Sequence, residues 1–136
     1  MSSKGRSTPR VVCCAIPIAR AAGKVLVITS RKRPTSWVLP KGGWEPSDQV
    51  LEAAASREAW EEAGVRGTIT KFVTTIPTTN TTYHFYELDV TSLDADWLEA
   101  KERQREWVDY AEAVRRVSWK QELAQGLMLS SLAPRR

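Results

Sequence analysis

Three carboxylates crowd together in the run Arg57-Glu58-Ala59-Trp60-Glu61-Glu62-Ala63-Gly64. If this run is helical, Glu58 and Glu62 are four residues apart and Glu58 and Glu61 three apart, so all three project from one face within reach of one another. Like charges so placed repel unless a cation sits among them, and hard oxygen donors at this spacing suit Mg2+ or Mn2+. The same spacing also describes a solvated acidic face relieved by Arg57. Two neighbours weigh against that simpler reading: a Gly-Gly pair ends 14 residues before Arg57, and the helix breaker Gly64 follows the last Glu.

The charges around this cluster are unevenly spread. Residues 1–43 hold nine Lys or Arg and no Asp or Glu, residues 44–62 hold six acidic residues and one Arg, and residues 63–136 are balanced at ten against ten. A solvated surface normally interleaves both signs, so the pattern is that of a chain handling an anion with one segment and a cation with the next. A basic tail beside an acidic helix face would give the same count.

The elements that must position these residues follow from local pattern. Residues 11–17 and 24–29 are short runs rich in Val and Ile and read as two strands joined by a turn. Residues 37–40 form a third short apolar piece, stopped by Pro40 and the Gly42-Gly43 pair. Ser47 is a candidate N-cap for a helix running to Ala63 and closed by Gly64, with Val50, Leu51, Ala54, Ala55 and Ala59 on one side. Residues 68–77 and 82–90 alternate and carry Thr, Val, Ile, Tyr and Phe, which predicts two more strands. A last short strand is expected over 106–108, then helices over 110–117 and 119–132, the second turning Leu123, Leu127 and Met128 inward. Strands first, a helix in the middle and helices at the end predict a mixed α/β (α+β) layered domain. At 136 residues, 42% hydrophobic and 26% charged, the chain is one soluble globular domain, expected over 10–132 with flexible ends at 1–9 and 133–136.

Other residue types are read more plainly. The apolar run 11–19 is far short of the roughly 20 residues that cross a bilayer. The polar, basic N-terminus shows no secretion signal, so a reducing compartment is expected. Cys13 and Cys14 are adjacent and read as buried small hydrophobes rather than redox or metal groups. His84, the only histidine, sits in a predicted strand and reads as a packing or substrate-edge residue. Trp37, Trp60, Trp107 and Trp119 fall on apolar positions and are expected in the core, while Trp44, beside the glycine pair, is placed to line a pocket.

The 23-residue run from Gly43 to Val65 resembles the Nudix box, G-x5-E-x7-R-E-U-x-E-E-x-G-U with U bulky and apolar. Gly43, Arg57, Glu58, Glu61, Glu62, Gly64 and Val65 match. Gln49 stands where the first Glu of the pattern belongs, and Ala59 is smaller than the usual apolar residue. Counting from Gly42 instead puts Asp48 in the acidic position but adds one residue before Arg57. Arg31-Lys32-Arg33-Pro34, the run from Trp37 to Glu45, and Arg103-Gln104-Arg105-Glu106-Trp107 are further similar to the subfamily that hydrolyses diphosphoinositol polyphosphates and diadenosine polyphosphates.

The resemblance implies a Nudix fold, a mixed β-sheet sandwiched between helices, and metal-dependent hydrolysis of phosphoanhydride bonds in diphosphoinositol polyphosphates (inositol pyrophosphates), diadenosine polyphosphates and inorganic polyphosphate. It assigns Glu58, Glu62 and the Lys41 backbone carbonyl to Mg2+, with Mn2+ or Zn2+ as substitutes. Glu61 would orient or deprotonate the attacking water, directly or across a second metal, and Arg57 would hold the carboxylates in register. Arg10, Arg31, Lys32, Arg33, Gly42, Gly43, Arg105 and Lys120 would contact substrate. Lys120 follows Trp119 at the start of the final predicted helix, where the dipole favours an anion and not a cation, so a bound phosphate explains it better than local stability does. The expected partner is a polyphosphorylated small molecule, with neither membrane nor nucleic acid, and the expected state is a cytoplasmic monomer, with the nucleus a second compartment. Three other readings stand beside this one. They are a Nudix pyrophosphatase for a nucleotide, a nucleotide sugar or an RNA cap, a non-catalytic phosphate-binding module, and a basic nucleic-acid binder, for which the acidic helix would be a liability.

Overall fold

The computed structural model of the chain describes residues 8–134. The expected flexible ends therefore lie largely outside the described residues, at 1–7 and 135–136. The first strand, β1 (Arg10–Ala19), is buried without interruption from Val12 to Ile18. Alternate side chains of a strand point to opposite faces, so unbroken burial means both faces of the sheet are covered, and Cys13 and Cys14 are both fully buried as small hydrophobes. Along one edge β1 runs parallel to β6 (Thr81–Leu93); β5 (Val65–Pro77) lies antiparallel beyond β6. The other edge of β1 is shared. Its first half pairs with β4 (Lys41–Gly43) and its last two residues pair with β2 (Lys24–Thr29). Pro17 falls in the gap between these two partners. Its ring nitrogen faces the same edge as the Ala15 N–H, which donates to the Pro40 carbonyl, so the missing donor interrupts no ladder there. Strand β2 also carries β3 (Trp37–Val38) and, on its far edge, β7 (Arg105–Asp109), which completes a mixed sheet.

Helix α1 (Leu51–Ala63) packs on β1, β4 and β5, and buries Ala54, Ala55, Ala59 and Ala63. Small side chains let the helix sit close to the sheet, which accounts for Ala59 where a bulkier residue was the pattern. Gly64 closes the helix in the left-handed conformation (φ 69°), as the sequence predicts. The start of the helix corrects the expectation. Ser47 is not its N-cap; it lies in a 3-10 turn over Pro46–Asp48, where the Glu45 and Asp48 side chains and backbone N–H groups cap one another. Gln49 follows at φ 66° and ψ −62°, the only positive-φ non-glycine among the described residues, and the Val50 N–H donates across it to the Asp48 carbonyl at 2.7 Å. That γ-turn sets the chain into the helix at Leu51.

Two further helices, α2 (Tyr110–Val117) and α3 (Gln121–Met128), pack on each other; α2 lies against β2, β3 and β7. The α2 N-terminus is capped by Asp109, whose carboxylate accepts from the Glu112 N–H at 2.8 Å. Leu123 and Leu127 are buried as expected, but the helix stops at Met128, which is half exposed. Three other expectations change. The glycine pair does not stop the extended chain: Lys41–Gly43 is a strand, because β1 offers it a partner. Trp60 and Trp119 are about two-fifths exposed and leave the core, whereas Trp37 and Trp107 pack partly buried against it.

Candidate active site

Helix α1 and strand β4 meet at two glutamates. Glu58 and Glu62, one helical turn apart, are both buried and lie beside the β4 backbone. The Lys41 N–H donates to Glu62 Oε1 at 3.2 Å, and a Cβ on Gly42 would stand 2.1 Å from Glu58 Oε2. Any side chain at 42 would displace that carboxylate. Gly43 is likewise close-packed, with the Arg10 guanidinium 3.3 Å from where a Cβ would be. Arg57 draws the remaining pieces together: its Nε and Nη2 bind Asp48 at 2.8 and 3.0 Å, Nη2 reaches the Gly43 carbonyl at 3.0 Å, and Nη1 reaches Glu58 at 3.1 Å and Glu61 at 3.3 Å. The carboxylate that meets Arg57 is thus Asp48, one residue before the place where the pattern puts its first Glu, and Gln49 occupies that place at the apex of the γ-turn.

Burial disfavours charge on both glutamates. It raises Glu58 despite the opposing Arg57, and it pushes Glu62 up to about 8, against the lowering effect of Arg103, whose Nη2 is 3.5 Å from Glu62 Oε1. Arg103 is itself fixed, by Glu99 at 2.7 Å and the Thr29 carbonyl at 2.8 Å. Burial also holds the Lys41 ammonium below its ordinary value. His84, its ring nitrogen 2.9 Å from the Thr75 hydroxyl, is lowered by burial.

Glu58 and Glu62 open onto a cavity of about 1150 Å3. Arg10, Arg31, Lys32, Arg33, Gly42, Gly43 and Lys120, all expected at substrate, line it, as does Trp44. Lys41 and Arg103 contribute side chains that sequence reasoning did not single out. Seven cations against the four carboxylates Glu45, Glu58, Glu62 and Glu99 leave an excess of three positive charges. Arg31 is partly spoken for by Glu102 at 3.1 Å and Glu99 at 3.7 Å. Arg105 is a correction: it is absent from the lining, stacks 4.0 Å over Trp97 and donates to the Ala63 carbonyl at 2.8 Å, capping the C-terminus of α1. Arg57 and Glu61 also stand outside the lining, Glu61 held there by Arg57. Arg103, two residues before Arg105, had only its place in the Arg103-to-Trp107 run as a signal; which of the two turns inward was not readable.

Among the described residues no three His, Cys, Asp or Glu side chains converge as a ready cage for a metal. Mg2+, however, is usually held by one or two carboxylates, with waters and substrate phosphates completing its shell. Two buried carboxylates, each made harder to ionise by burial and both facing a cavity, fit that requirement, since a divalent cation would supply the missing counter-charge.

A mixed-sheet α/β domain that sets paired helix carboxylates against a glycine strand, beside a strongly cationic cleft, defines a class of phosphate-handling hydrolases. The NUDIX domain model matches residues 8–128, and the chain belongs to the Nudix hydrolase family. It is 34% identical over 113 residues to Nudix hydrolase 21, chloroplastic, of Arabidopsis thaliana, covering 77% of this chain and 57% of that protein. It is 34% identical over 97 residues to human diphosphoinositol polyphosphate phosphohydrolase 3-alpha, covering 68% of this chain and 58% of the relative. The chain thus spans little more than half the length of the curated relatives it matches. In fold it is similar to a NUDIX hydrolase from Nitrosomonas europaea (TM-score 0.74, 22% identity, 88% and 86% of the two chains) and to a C. elegans Ap4A hydrolase (TM-score 0.67, 19% identity, 85% and 92%). No helix among the described residues is long and apolar enough to cross a membrane.

Proposed function

We propose that the chain hydrolyses phosphoanhydride bonds in densely charged polyphosphates: diphosphoinositol polyphosphates, diadenosine polyphosphates and inorganic polyphosphate. The observation that carries this reading is the convergence of Glu58 and Glu62 with seven cations on one cavity. A single nucleoside diphosphate has no use for so many cations, whereas a polyphosphate chain or a fully phosphorylated ring does. The naming of a 34%-identical relative for diphosphoinositol polyphosphates supports the same substrate class.

In this reading Glu58, Glu62 and the Lys41 carbonyl hold Mg2+, for which Mn2+ or Zn2+ can substitute. Bound there, a divalent cation neutralises phosphoryl oxygens and acidifies water. The remaining work falls to the chain. Glu61, which Arg57 holds outside the cavity lining, would orient the attacking water and take its proton directly or across a second metal, and Arg57 keeps Glu58 and Glu61 in register. Arg10, Arg33, Lys41, Arg103 and Lys120 neutralise the phosphate array, Arg by forked contacts and Lys as point charges. The water oxygen bonds to phosphorus, the bridging P–O bond breaks, and the leaving phosphate carries away the electron pair. Positioning and electrostatics supply most of the acceleration in such a displacement.

The test is a product assay with Mg2+ on an inositol pyrophosphate, diadenosine hexaphosphate, linear polyphosphate, a nucleotide sugar and a capped RNA. Preferential cleavage of the first three, lost in Glu62→Gln with the fold intact, is expected. Preference for the nucleotide sugar or the cap would transfer the chain to another Nudix substrate class, and turnover of none would mark it as a binding module.

A further inference from the structure

Trp119 is the residue that the phosphate chemistry leaves unexplained. It stands between β3 and the start of α3, and its indole N–H donates to the Trp37 carbonyl at 2.8 Å, which fixes the plane of the ring. Yet 43% of it remains exposed. It lines the main cavity, and it also lines a second, open concavity of about 520 Å3 whose other walls include Ser36, Trp37, Arg115 and Arg116. Trp119 is thus the partition between the two spaces. The two tryptophans differ in availability. The Trp37 ring is covered by Arg116 at 4.8 Å, and that guanidinium is tied down by Glu106 at 2.8 Å and Glu112 at 2.6 Å. The cation over the Trp119 ring is Arg33, at 5.1 Å, and among the described residues no carboxylate forms an ion pair with Arg33. Arg33 also lines the cavity, so a polyphosphate that draws its guanidinium inward would uncover the indole.

The geometry points to Trp119 as a stacking platform for a planar base at the boundary of the two spaces, with the second concavity taking the nucleoside end of a dinucleoside polyphosphate while its phosphates lie over the cations of the first. The inference rests on the polyphosphate hydrolase reading and deepens it. An inositol pyrophosphate or linear polyphosphate has no π-face and gains nothing from Trp119, whereas a molecule with a base at the end of a polyphosphate chain meets both features. Stacking on an aromatic side chain is tolerant of base identity, because every base has a π-face. The platform would therefore select for the presence of a base and hardly at all for adenine over guanine.

Steady-state kinetics with Mg2+ on diadenosine hexaphosphate, linear polyphosphate and an inositol pyrophosphate test this, using Trp119→Ala, Trp119→Leu and Trp119→Phe, with folding checked by circular dichroism. The Ala and Leu variants should raise the KM for the dinucleoside compound by about tenfold or more, with its kcat and both constants for the base-free substrates within about twofold of the parent. The Phe variant, which keeps a planar face, should recover most of the loss. In the parent, diadenosine hexaphosphate should also quench tryptophan fluorescence where linear polyphosphate does not, and Trp119→Phe should remove that quenching. Equal changes for all three substrates, no change for any, or absence of the quenching overturns the proposal. If the parent cleaves none of the three, the hydrolase reading fails, and calorimetric binding of diadenosine hexaphosphate against linear polyphosphate, to parent and Trp119→Ala, still decides the platform. Weakening confined to the base-bearing ligand supports it; equal or no weakening ends it.

Discussion

Two carboxylates one helical turn apart and nearly out of reach of water cannot both ionise freely. Burial leaves Glu62 with a pKa of about 8, well above its unfolded value of 4.5. Between those values Glu62 is more protonated in the metal-free folded chain than in the unfolded one, so its own contribution to stability is greatest below 4.5 and falls as pH rises towards about 8. A divalent cation takes the place of the proton. Mg2+ binding near neutral pH should therefore release roughly one proton, and its apparent affinity should climb with pH and level off above about 8. Calorimetry in two buffers of different ionisation enthalpy measures the proton count. Glu62→Gln should abolish the release and lower turnover by on the order of 10²-fold or more while the chain stays folded. A parent that binds Mg2+ with no proton release would place the cation elsewhere.

At the scale of the element, the entry to α1 decides how the carboxylates are held. Asp48 grips Arg57 with both oxygens, and Arg57 in turn holds Glu58 and Glu61. The Arg57 guanidinium keeps the Asp48 carboxyl below its usual range. Asp48→Ala should cost about 3 kcal/mol in urea unfolding, because it leaves a partly buried guanidinium short of a partner, and should lower kcat through the loosened cluster. Adding Gln49→Glu to that variant should not restore either quantity, since residue 49 sits at the apex of the γ-turn and Asp48 already occupies the space beside Arg57. Gln49→Gly alone should raise stability by about 1 kcal/mol, relieving a conformation that side chains adopt only under strain. Rescue by the glutamate would show that the motif position, and not Asp48, is what Arg57 requires.

For the whole molecule, the cleft acts through its summed charge. Changing Arg31, Lys32 and Arg33 together to Ala should raise the KM for an inositol pyrophosphate far more than for a nucleotide sugar, and the gap should narrow with added salt as screening grows. An equal effect on both substrates would reduce that segment to solvated surface. A second long-range device closes the far end of the fold. Glu87, buried in β6, accepts from the Ser131 N–H and hydroxyl, each at 2.7 Å, and from Arg20 at 3.0 Å, while Arg20 also binds Asp89. Burial alone would raise the Glu87 carboxyl, yet these donors pull it below its usual value of 4.5. A depressed folded pKa contributes stability above the unfolded value that is lost as pH falls through the folded one. Glu87→Gln should therefore be less stable than the parent at neutral pH and should lose less on acidification, as urea midpoints at about pH 7 and about pH 3 would show.

Much of this arrangement was legible from residue order, because it depends on near neighbours. The three- and four-residue spacing of Glu58, Glu61 and Glu62, the closing Gly64, the Val- and Ile-rich runs that became β1 and β2, and the placing of Lys120 at the start of α3 are all local, and the structure shows each of them. The family followed from the same short run of residues. What local pattern could not decide depends on partners far along the chain. Gly42-Gly43 reads as a stop to the apolar piece before it, and Lys41–Gly43 becomes a strand only because half of one β1 edge lies open to it. The helix begins at Leu51 and not at Ser47 because the Pro46–Asp48 turn and the γ-turn at Gln49 precede it, with Asp48 bound to Arg57 nine residues on. Arg103 and Arg105 differ by two places; one meets Glu62 and Glu99, the other the end of α1, because α1 and the Glu99 segment approach from elsewhere. Trp119 looks like core by its apolar position and is held at the rim by the Trp37 carbonyl, 82 residues away. Spacing along the chain specifies which groups share a helix face; only packing between distant segments specifies which groups share a cavity.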